Sequence, residues 1–492
     1  MIHLNSSYIL RNDRHRSIIF EKRSADGDPC ISGWISRVHP VYTMLLSYFT
    51  KPTEIDKAYE ICQSFLQCDR ENAQKLIDSF INEEVPFSST IQGEISEFPP
   101  KLLVKSEGTA DKAHTAMKSY SAEDFIYTPP VDLKTQRIFV APVGLVWVVT
   151  DRCVTDCVYC YANKNHAKKW MDSIQIERFI ADAKVSGIRD IFLSGGELFL
   201  HPEWKRILDL LHRYDLWPGM ISTKMPMTEE IVETLKQYPP VMIQISLDSL
   251  DRQTLCETLK VKPSYIDDVK HGIELLEKNR IHMQLASVLT KKTASIANLE
   301  EMRIYLSSLG YLNRWTIRIG FPSLYSSVDY NKWKVNKEFK SELDKWYEEA
   351  EGKSKFTISL DKGKEESYNK STTGSKDFPG ARCSANITHM VILPDGKVTI
   401  CEQLYWNPRF IIGDILNNSI QEIWQGAQAS RLTRFPQNSI GVKSPCGTCE
   451  LYDKCQSFPN KCYPDILKAY GDDNWDFPDL RCAFAPPHIH EL

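Results

Sequence analysis

The feature of this sequence that most constrains its fold is a group of three cysteines, Cys153, Cys157 and Cys160, directly after a short apolar run. Three thiolates on one loop can bind three irons of a cubane iron–sulfur cluster, which normally takes four cysteines. The fourth iron would then have no protein ligand and could bind a small molecule. The alternative is a zinc loop, which requires four closed ligands, and the nearest candidate for the fourth is His166.

A second group of seven cysteines lies between residues 383 and 482, and only four of the fourteen cysteines stand apart. The N-terminus has no apolar run of the secretory type, and the cytosol keeps thiols reduced. We therefore expect metal ligands rather than disulfides, in a soluble cytoplasmic protein. Paired cysteines of this spacing also commonly bind zinc. A zinc site is thus an alternative for four members of the group, which are Cys446, Cys449, Cys455 and Cys462.

Length and charge limit the class of protein further. The 492 residues suggest about three domains at roughly 150 residues each. Hydrophobic residues make up 42% of the chain, which is enough for buried cores. A net charge of −4 does not give the positive electrostatic field that attracts nucleic acid. No stretch approaches the ~20 apolar residues that a membrane helix needs. We expect neither a nucleic acid nor a membrane as partner.

Residues 1–100 are predicted to form a small winged-helix-like module. Apolar runs around Ile9 and Ile19 flank a polar turn, which indicates a hairpin. Three helical patterns follow, the last of them directly after Asp69. Residues 101–135 are mostly polar, with proline and glycine among them, and are predicted to be a linker.

Alternating strand and helix patterns run from residue 136 to 350. Six apolar runs predict buried parallel strands. They cover residues 145–149, 191–193, 220–221, 241–245, 283–288 and 315–319. Six such β–α units make an α/β fold of the partial (β/α)6 TIM barrel type, with its chemistry at the carboxyl ends of the strands. A linker at 351–379 is predicted to precede a cysteine-rich iron–sulfur domain at 380–492.

The first cysteine group resembles the signature of the radical SAM superfamily, which is CxxxCxxC with an aromatic residue before the last cysteine. Tyr159 fills that aromatic place, and the resemblance extends over residues 140–320. It implies a [4Fe–4S] cluster whose open iron binds S-adenosylmethionine (SAM). It also implies that one electron from the cluster releases a 5′-deoxyadenosyl radical, which is chemistry that cofactors rather than side chains supply.

The same resemblance implies SAM contacts where the predicted strands end. A Gly-Gly-Glu motif after the second strand matches the family's motif, in which backbone approaches the ligand and the acid accepts from the SAM ammonium. Serines end the third and fourth strands. The family's arginine in the following helix has its nearest counterpart in Lys260, which cannot form a bidentate fork. The implied cofactor contacts are Tyr159, Gly195, Gly196, Glu197, Ser222, Ser246 and Lys260.

The second cysteine group resembles the SPASM extension of radical SAM enzymes, with the spacing CxnGx4C followed by CxxCx5C. In that family seven cysteines hold two auxiliary [4Fe–4S] clusters with crossed connectivity, which gives three clusters in all. If the same connectivity applies to this chain, one cluster is bound by Cys383, Cys401 and Cys462, and the other by Cys446, Cys449, Cys455 and Cys482. Some relatives have a further cysteine shortly before the position of Cys383, but this chain has none between Cys256 and Cys383. We therefore expect the cluster of Cys383 to have an open iron that can take a substrate thiolate.

The resemblance to SPASM enzymes implies a peptide substrate. The N-terminal module resembles the element that binds the leader of a precursor peptide by strand addition. Together these imply a maturase of the sactipeptide or ranthipeptide type, which joins a cysteine sulfur to carbon and draws electrons from flavodoxin or ferredoxin. The alternatives are an anaerobic sulfatase-type maturase, a carbon–carbon crosslinking peptide enzyme, and a non-catalytic iron–sulfur or zinc scaffold. Beyond the cluster ligands, the sequence singles out no catalytic residue.

Overall fold

The computed structural model describes residues 1–22, 34–105, 119–164, 169–361, 383–456 and 461–489. His166 and Cys30 lie outside the described residues. The described residues up to Val140 form one compact unit, and those from Ala141 onward form a second. Within the described residues, no helix is both long enough and apolar enough to cross a membrane.

The first unit combines three helices with short antiparallel strands. Its helices are α1 Pro40–Ser47, α2 Ile55–Leu66 and α3 Arg70–Asn82. Its strands are β1 Ile2–Leu4, β2 Tyr8–Asn12, β3 Ser17–Glu21, β4 Ile35–Val38, β5 Phe87–Ile91, β6 Glu94–Phe98 and β7 Leu103–Lys105. Strand β3 lies between β2 and β4 in one sheet, while β1 pairs with β7 and β5 with β6.

The predicted hairpin and the three predicted helices of this unit are confirmed. Helix α3 begins where the Asp69 carboxylate accepts a hydrogen bond from the Asn72 backbone N–H. Its apolar face buries Ala73, Ile77 and Phe80 in the core of the unit. The β5–β6 hairpin was not predicted, because its polar residues alternate with few apolar ones and carry little hydrophobic signal.

The second unit is built on one sheet of ten strands. They are β8 Gly144–Thr150, β9 Asp190–Gly195, β10 Pro218–Thr223, β11 Ile243–Ser246, β12 Met283–Leu289, β13 Leu312–Ile319, β14 Thr357–Asp361, β15 His389–Ile392, β16 Lys397–Thr399 and β17 Ile411–Asp414. Strands β8 to β13 lie side by side in chain order and are mutually parallel. All six predicted strands are therefore confirmed, and the α/β class with them.

Helices connect these parallel strands and cover the sheet. They are α4 Ser173–Val185, α5 Trp204–Arg213, α6 Glu229–Gln237, α7 Arg252–Leu259, α8 Tyr265–Lys278, α9 Ile296–Leu306 and α10 Lys337–Glu351. The remaining helices are α11 Ile420–Gln425, α12 Ala427–Thr433, α13 Tyr452–Gln456 and α14 Tyr463–Tyr470. Because consecutive strands are parallel, their carboxyl ends meet at one edge of the sheet, where the cysteine loop after β8 also begins.

Part of the predicted linker at 351–379 is a strand. Residues 357–361 form β14, which pairs in parallel with β13. On the other side of the sheet β15 pairs in parallel with β8, and β16 and β17 continue it as antiparallel strands. The cysteine-rich part of the chain therefore extends the same sheet as the six β–α units.

Candidate functional site: two cysteine groups at the carboxyl edge of the sheet

The loop after β8 carries Cys153, Cys157 and Cys160. The hydroxyl oxygen of Thr155 lies 3.3 Å from the Cys153 sulfur and 3.2 Å from the Cys157 sulfur. The loop is anchored to the end of α7, because the Asp156 backbone N–H donates to the Leu259 carbonyl at 2.8 Å. The structure thus gathers the first group at the carboxyl edge, as its spacing predicts.

The two glycines of the Gly-Gly-Glu motif pack against this cysteine loop. Gly195 has φ of +124°, and a Cβ there would lie 2.5 Å from the Thr150 carbonyl oxygen. A Cβ on Gly196 would overlap the Arg152 carbonyl. The Gly196 and Glu197 backbone N–H groups donate to those same two carbonyls at 2.8 and 2.7 Å. The glycines therefore let these two loops of the chain approach each other closely, and the predicted approach of backbone to a ligand at the same glycines remains a prediction.

Glu197 is buried beside the first cysteine group, with 2% of its surface exposed. Its carboxylate accepts hydrogen bonds from the Thr223 hydroxyl and, at 2.8 Å, from the Lys224 backbone N–H. One carboxylate oxygen lies 3.8 Å from the Cys153 sulfur. Burial raises the pKa of Glu197 to about 6, and the hydrogen bond from Thr223 opposes that rise.

An ion pair that the sequence analysis missed lies beside these residues. Lys224 Nζ lies 3.7 Å from Asp248, and Tyr159 donates its hydroxyl proton to the same carboxylate. Burial opposes the charged form of Lys224, but Asp248, Cys157 and Glu197 together raise its pKa. The one signal in the sequence that could have identified Lys224 is its place directly after a strand that ends at the site.

The other predicted SAM contacts differ in their surroundings. The Ser222 hydroxyl accepts from the Gln244 side chain at 2.7 Å, in a polar row that crosses β10, β11 and β12. Ser246 is half-buried at the end of β11. Lys260 is exposed and caps α7 with φ of +58°. The predicted cation is thus exposed, while Lys224 is largely buried beside the cysteines.

The second cysteine group separates into two sets of neighbouring thiols. Burial raises the pKa of Cys401, and the nearby thiols of Cys383 and Cys462 contribute to that rise. Burial also raises the pKa of Cys455 to about 11, opposed by Lys461. The other contributors to the rise at Cys455 are Cys446, Cys482 and Cys449. In the structure Cys401 therefore lies near Cys383 and Cys462, and Cys455 lies near Cys446, Cys449 and Cys482.

The half-buried Glu402 carboxylate lies between residues that follow the two cysteine groups. Burial raises the pKa of Glu402, which directly follows Cys401, and hydrogen bonds with Tyr161 and Ser194 oppose the rise. Tyr161 directly follows Cys160. The two cysteine-bearing loops therefore meet at the Glu402–Tyr161 contact. No sequence pattern singled out Glu402, because its meeting with Tyr161 joins residues far apart in the chain.

The type of metal-binding atom in the two cysteine groups indicates which cofactor these residues can hold. Among the described residues, no group of three or more His, Cys, Asp or Glu side chains converges closely enough to hold a metal ion, so the chemistry of the donors and not their positions indicates the cofactor. The donors at both places are thiols, and soft thiolate donors suit iron–sulfur clusters. Cys153, Cys157 and Cys160 would hold such a cluster on the first loop, and the cysteines of the second group offer further thiol donors.

Comparison with known proteins agrees with these two groups. Residues 147–295 match the radical SAM superfamily, and residues 383–450 match the SPASM iron–sulfur cluster-binding domain. The antilisterial bacteriocin subtilosin biosynthesis protein AlbA of Bacillus subtilis is 23% identical over 329 residues, covering 64% of this chain and 68% of that protein. The PqqA peptide cyclase of Methylorubrum extorquens is 21% identical over 364 residues, covering 73% of this chain and 88% of that protein.

A solved structure resembles the fold over nearly the whole chain. Streptococcus suis SuiB, bound to its precursor peptide SuiA, superimposes with a TM-score of 0.66 at 15% identity. The match covers 98% of this chain and 100% of that one. It therefore includes the N-terminal residues as well as both cysteine groups. The resemblances drawn from the sequence at both cysteine groups are confirmed.

Proposed function

We propose that this chain, a radical SAM enzyme with a C-terminal SPASM domain, modifies a ribosomally synthesised precursor peptide. Three [4Fe–4S] clusters and SAM are its proposed cofactors, and flavodoxin or ferredoxin its electron donor. When bound, the cluster of the first loop and SAM supply a 5′-deoxyadenosyl radical that removes hydrogen from the peptide. The proposed fold of this part is a partial (β/α)6 barrel.

The N-terminal module is the proposed binding place of the peptide leader. We take residues 1–100 to be a winged-helix-like module that receives the leader as an added strand. The three helices and the three-stranded sheet β2–β3–β4 support this proposal, since sheet edges offer free main-chain groups to an extended peptide. The structure of SuiB with a bound precursor peptide supports it as well.

The proposed bond is a thioether between a cysteine sulfur and a carbon of the peptide core. One carbon–hydrogen and one sulfur–hydrogen bond are replaced by a carbon–sulfur bond. The hydrogen atom would leave with 5′-deoxyadenosine and the thiol proton would pass to a base. Cys383, Cys401 and Cys462 would hold an auxiliary cluster able to accept the surplus electron. An open iron of that cluster is the proposed anchor for the substrate sulfur.

The observation that carries the proposal is the contact between Glu402 and Tyr161. It brings the residue after Cys401 against the residue after Cys160, so both cysteine groups face a shared region. A peptide held there would have its hydrogen-donor carbon near the first loop and its sulfur near Cys401. The exposure of Cys383 supports the proposal that a substrate thiolate can reach this auxiliary set.

Co-expression with the precursor peptide tests the proposal. We expect the peptide to lose two hydrogen atoms per crosslink and to keep the loss after reduction, because thioethers resist thiol reagents whereas disulfides do not. A precursor without its leader should be modified poorly. Recovery of an unmodified full-length peptide, beside abundant 5′-deoxyadenosine, would contradict the peptide assignment.

A carbon–carbon crosslink is the second candidate, since one similar protein is named a peptide cyclase. Tandem mass spectrometry separates the two. A thioether blocks alkylation of the cysteine involved, whereas a carbon–carbon link leaves every cysteine thiol free to react.

A further inference from the structure

A lysine lies against one of the two proposed sets of cysteines in the second group. The first auxiliary set is defined as Cys383, Cys401 and Cys462, and the second auxiliary set as Cys446, Cys449, Cys455 and Cys482. The half-buried Lys461 donates a hydrogen bond from Nζ to the Cys446 sulfur at 3.7 Å. Its ammonium also lies 5.8 Å from the centre of the ring of Tyr452, which is buried. These two contacts hold a positive charge beside the second auxiliary set.

The charge of Lys461 acts on two thiols of that set. Burial raises the pKa of the Cys446 thiol, and Lys461 opposes the rise both by its charge and by its hydrogen bond. Burial also raises the pKa of Cys455, and the charge of Lys461 opposes that rise too. The ammonium therefore favours the negatively charged form of two thiols that come from different turns of the chain. The negative form is the one that binds a metal.

The backbone contributes in a similar way to the two auxiliary sets. The Ala385 N–H donates to the Cys383 sulfur at 3.4 Å in the first set. The Phe484 N–H donates to the Cys482 sulfur at 3.4 Å in the second set. These two hydrogen bonds have the same length and the same kind of donor. A difference between the sets must therefore come from their side-chain neighbours.

The charged neighbours of the two sets differ in sign. Burial raises the pKa of Cys401 in the first set, and the negative charge of Glu402 adds to the rise. Lys461 has the opposite effect in the second set. The second set also has a carboxylate nearby, that of Asp479, but Arg481 pairs with it at 2.8 Å. The side chains thus place a positive charge at the second set and a negative charge at the first.

A positive charge beside an iron–sulfur cluster stabilises the reduced form, which carries one more negative charge, and hydrogen bonds to the ligand sulfurs act in the same direction. We infer that Lys461 raises the reduction potential of the auxiliary cluster proposed for the second set, and so favours it as the acceptor of the one surplus electron from the proposed crosslink. The inference rests on the proposed auxiliary clusters. Lys461 acts through the cysteine ligands and is therefore a positioning residue.

A potentiometric titration of the anaerobically reconstituted enzyme, followed by electron paramagnetic resonance, measures this potential without turnover. The signal of the second auxiliary set is the one that is lost in Cys455→Ser. For this signal, we expect Lys461→Met to lower the equilibrium constant of one-electron reduction about tenfold, which corresponds to about 59 mV. The signal that is lost in Cys401→Ser should keep its potential, although Lys461 precedes Cys462 in the chain.

Three further variants separate charge from hydrogen bonding. Lys461→Arg keeps the charge and should keep the potential close to that of the wild type. Lys461→Gln keeps a hydrogen-bond donor without the charge, so its potential should lie between those of the wild type and Lys461→Met. Lys443→Met is the matched control, because Lys443 is exposed although it lies close to Cys446 in the chain. It should leave the potential unchanged.

An unchanged potential in Lys461→Met, measured on protein with its full iron content, would overturn the inference. An equal shift of the signal that is lost in Cys401→Ser would overturn it as well. Iron and sulfide are measured for every variant. If the Met and Gln variants of Lys461 lose iron while the Arg variant retains it, Lys461 supports the cysteine loop and the inference fails. If Cys455→Ser loses no iron, the proposed auxiliary cluster is itself wrong, which is a separate failure that removes the inference with it.

Discussion

The two cysteine groups of this protein are built in different ways. The first group takes its three thiols from eight consecutive residues, and one loop held by α7 places all of them. The second group gathers its thiols from a stretch of one hundred residues, from Cys383 to Cys482. A local group can be recognised from spacing alone. A dispersed group depends on the fold to decide which thiols become neighbours.

Replacing one cysteine in each group should give the largest contrast. Cys157→Ser removes a proposed ligand of the SAM-binding cluster, so we expect production of 5′-deoxyadenosine to fall below detection. Cys383→Ser leaves that loop intact, so 5′-deoxyadenosine should still form while peptide crosslinking is lost. Chromatography of reactions with SAM and dithionite measures both. Cys68→Ser in the first unit is the control, and equal losses of 5′-deoxyadenosine in Cys157→Ser and Cys383→Ser would break the contrast.

The iron content of single and double cysteine variants tests how the cysteines of the second group are divided between two clusters. Cys401→Ser and Cys462→Ser should remove iron from the same cluster, so the double variant should lose no more iron than either single variant. Cys401→Ser combined with Cys455→Ser should lose the iron of two clusters.

Iron analysis after anaerobic reconstitution measures this difference. Additive losses for Cys401 and Cys462 would show that the two thiols belong to different clusters, and the crossed partition would then be wrong.

The contact between the Gly-Gly-Glu motif and the first cysteine loop should be sensitive to one methyl group. Gly196→Ala would place its Cβ against the Arg152 carbonyl, and we expect the free energy of unfolding to fall by about 3 kcal/mol. Gly352→Ala is the matched control, since its Cβ would meet nothing within 4 Å. Chemical unfolding of the second unit measures both, and an equal stability for the two variants would contradict the close packing.

The smallest expected effect concerns the helix that follows the first cysteine loop. The Asp172 side chain caps α4 by accepting from the Ile174 and Gln175 backbone N–H groups. Asp172→Ala should lower the free energy of unfolding by about 1 kcal/mol. Production of 5′-deoxyadenosine should be unchanged at temperatures well below unfolding. A loss of turnover without a loss of stability would mean that this helix end belongs to the site.

The sequence was most informative where a pattern is local. The buried strands β8 to β13 follow from continuous apolar runs, and the first cysteine group follows from its spacing. Strand β14 was missed because its residues alternate between polar and apolar in a mostly polar stretch. Lys224, Asp248 and Glu402 were missed for a different reason. Each acquires its role from side chains of other β–α units, and such neighbours are not visible in one sequence.

The central claim is that a radical formed at the first cysteine group removes hydrogen from a peptide. The most direct measurement uses the precursor peptide, uniformly deuterated, with SAM and dithionite. Mass spectrometry of the 5′-deoxyadenosine should show one deuterium transferred from the peptide, and the peptide should show the matching loss. Crosslinked peptide beside 5′-deoxyadenosine without deuterium would contradict the account.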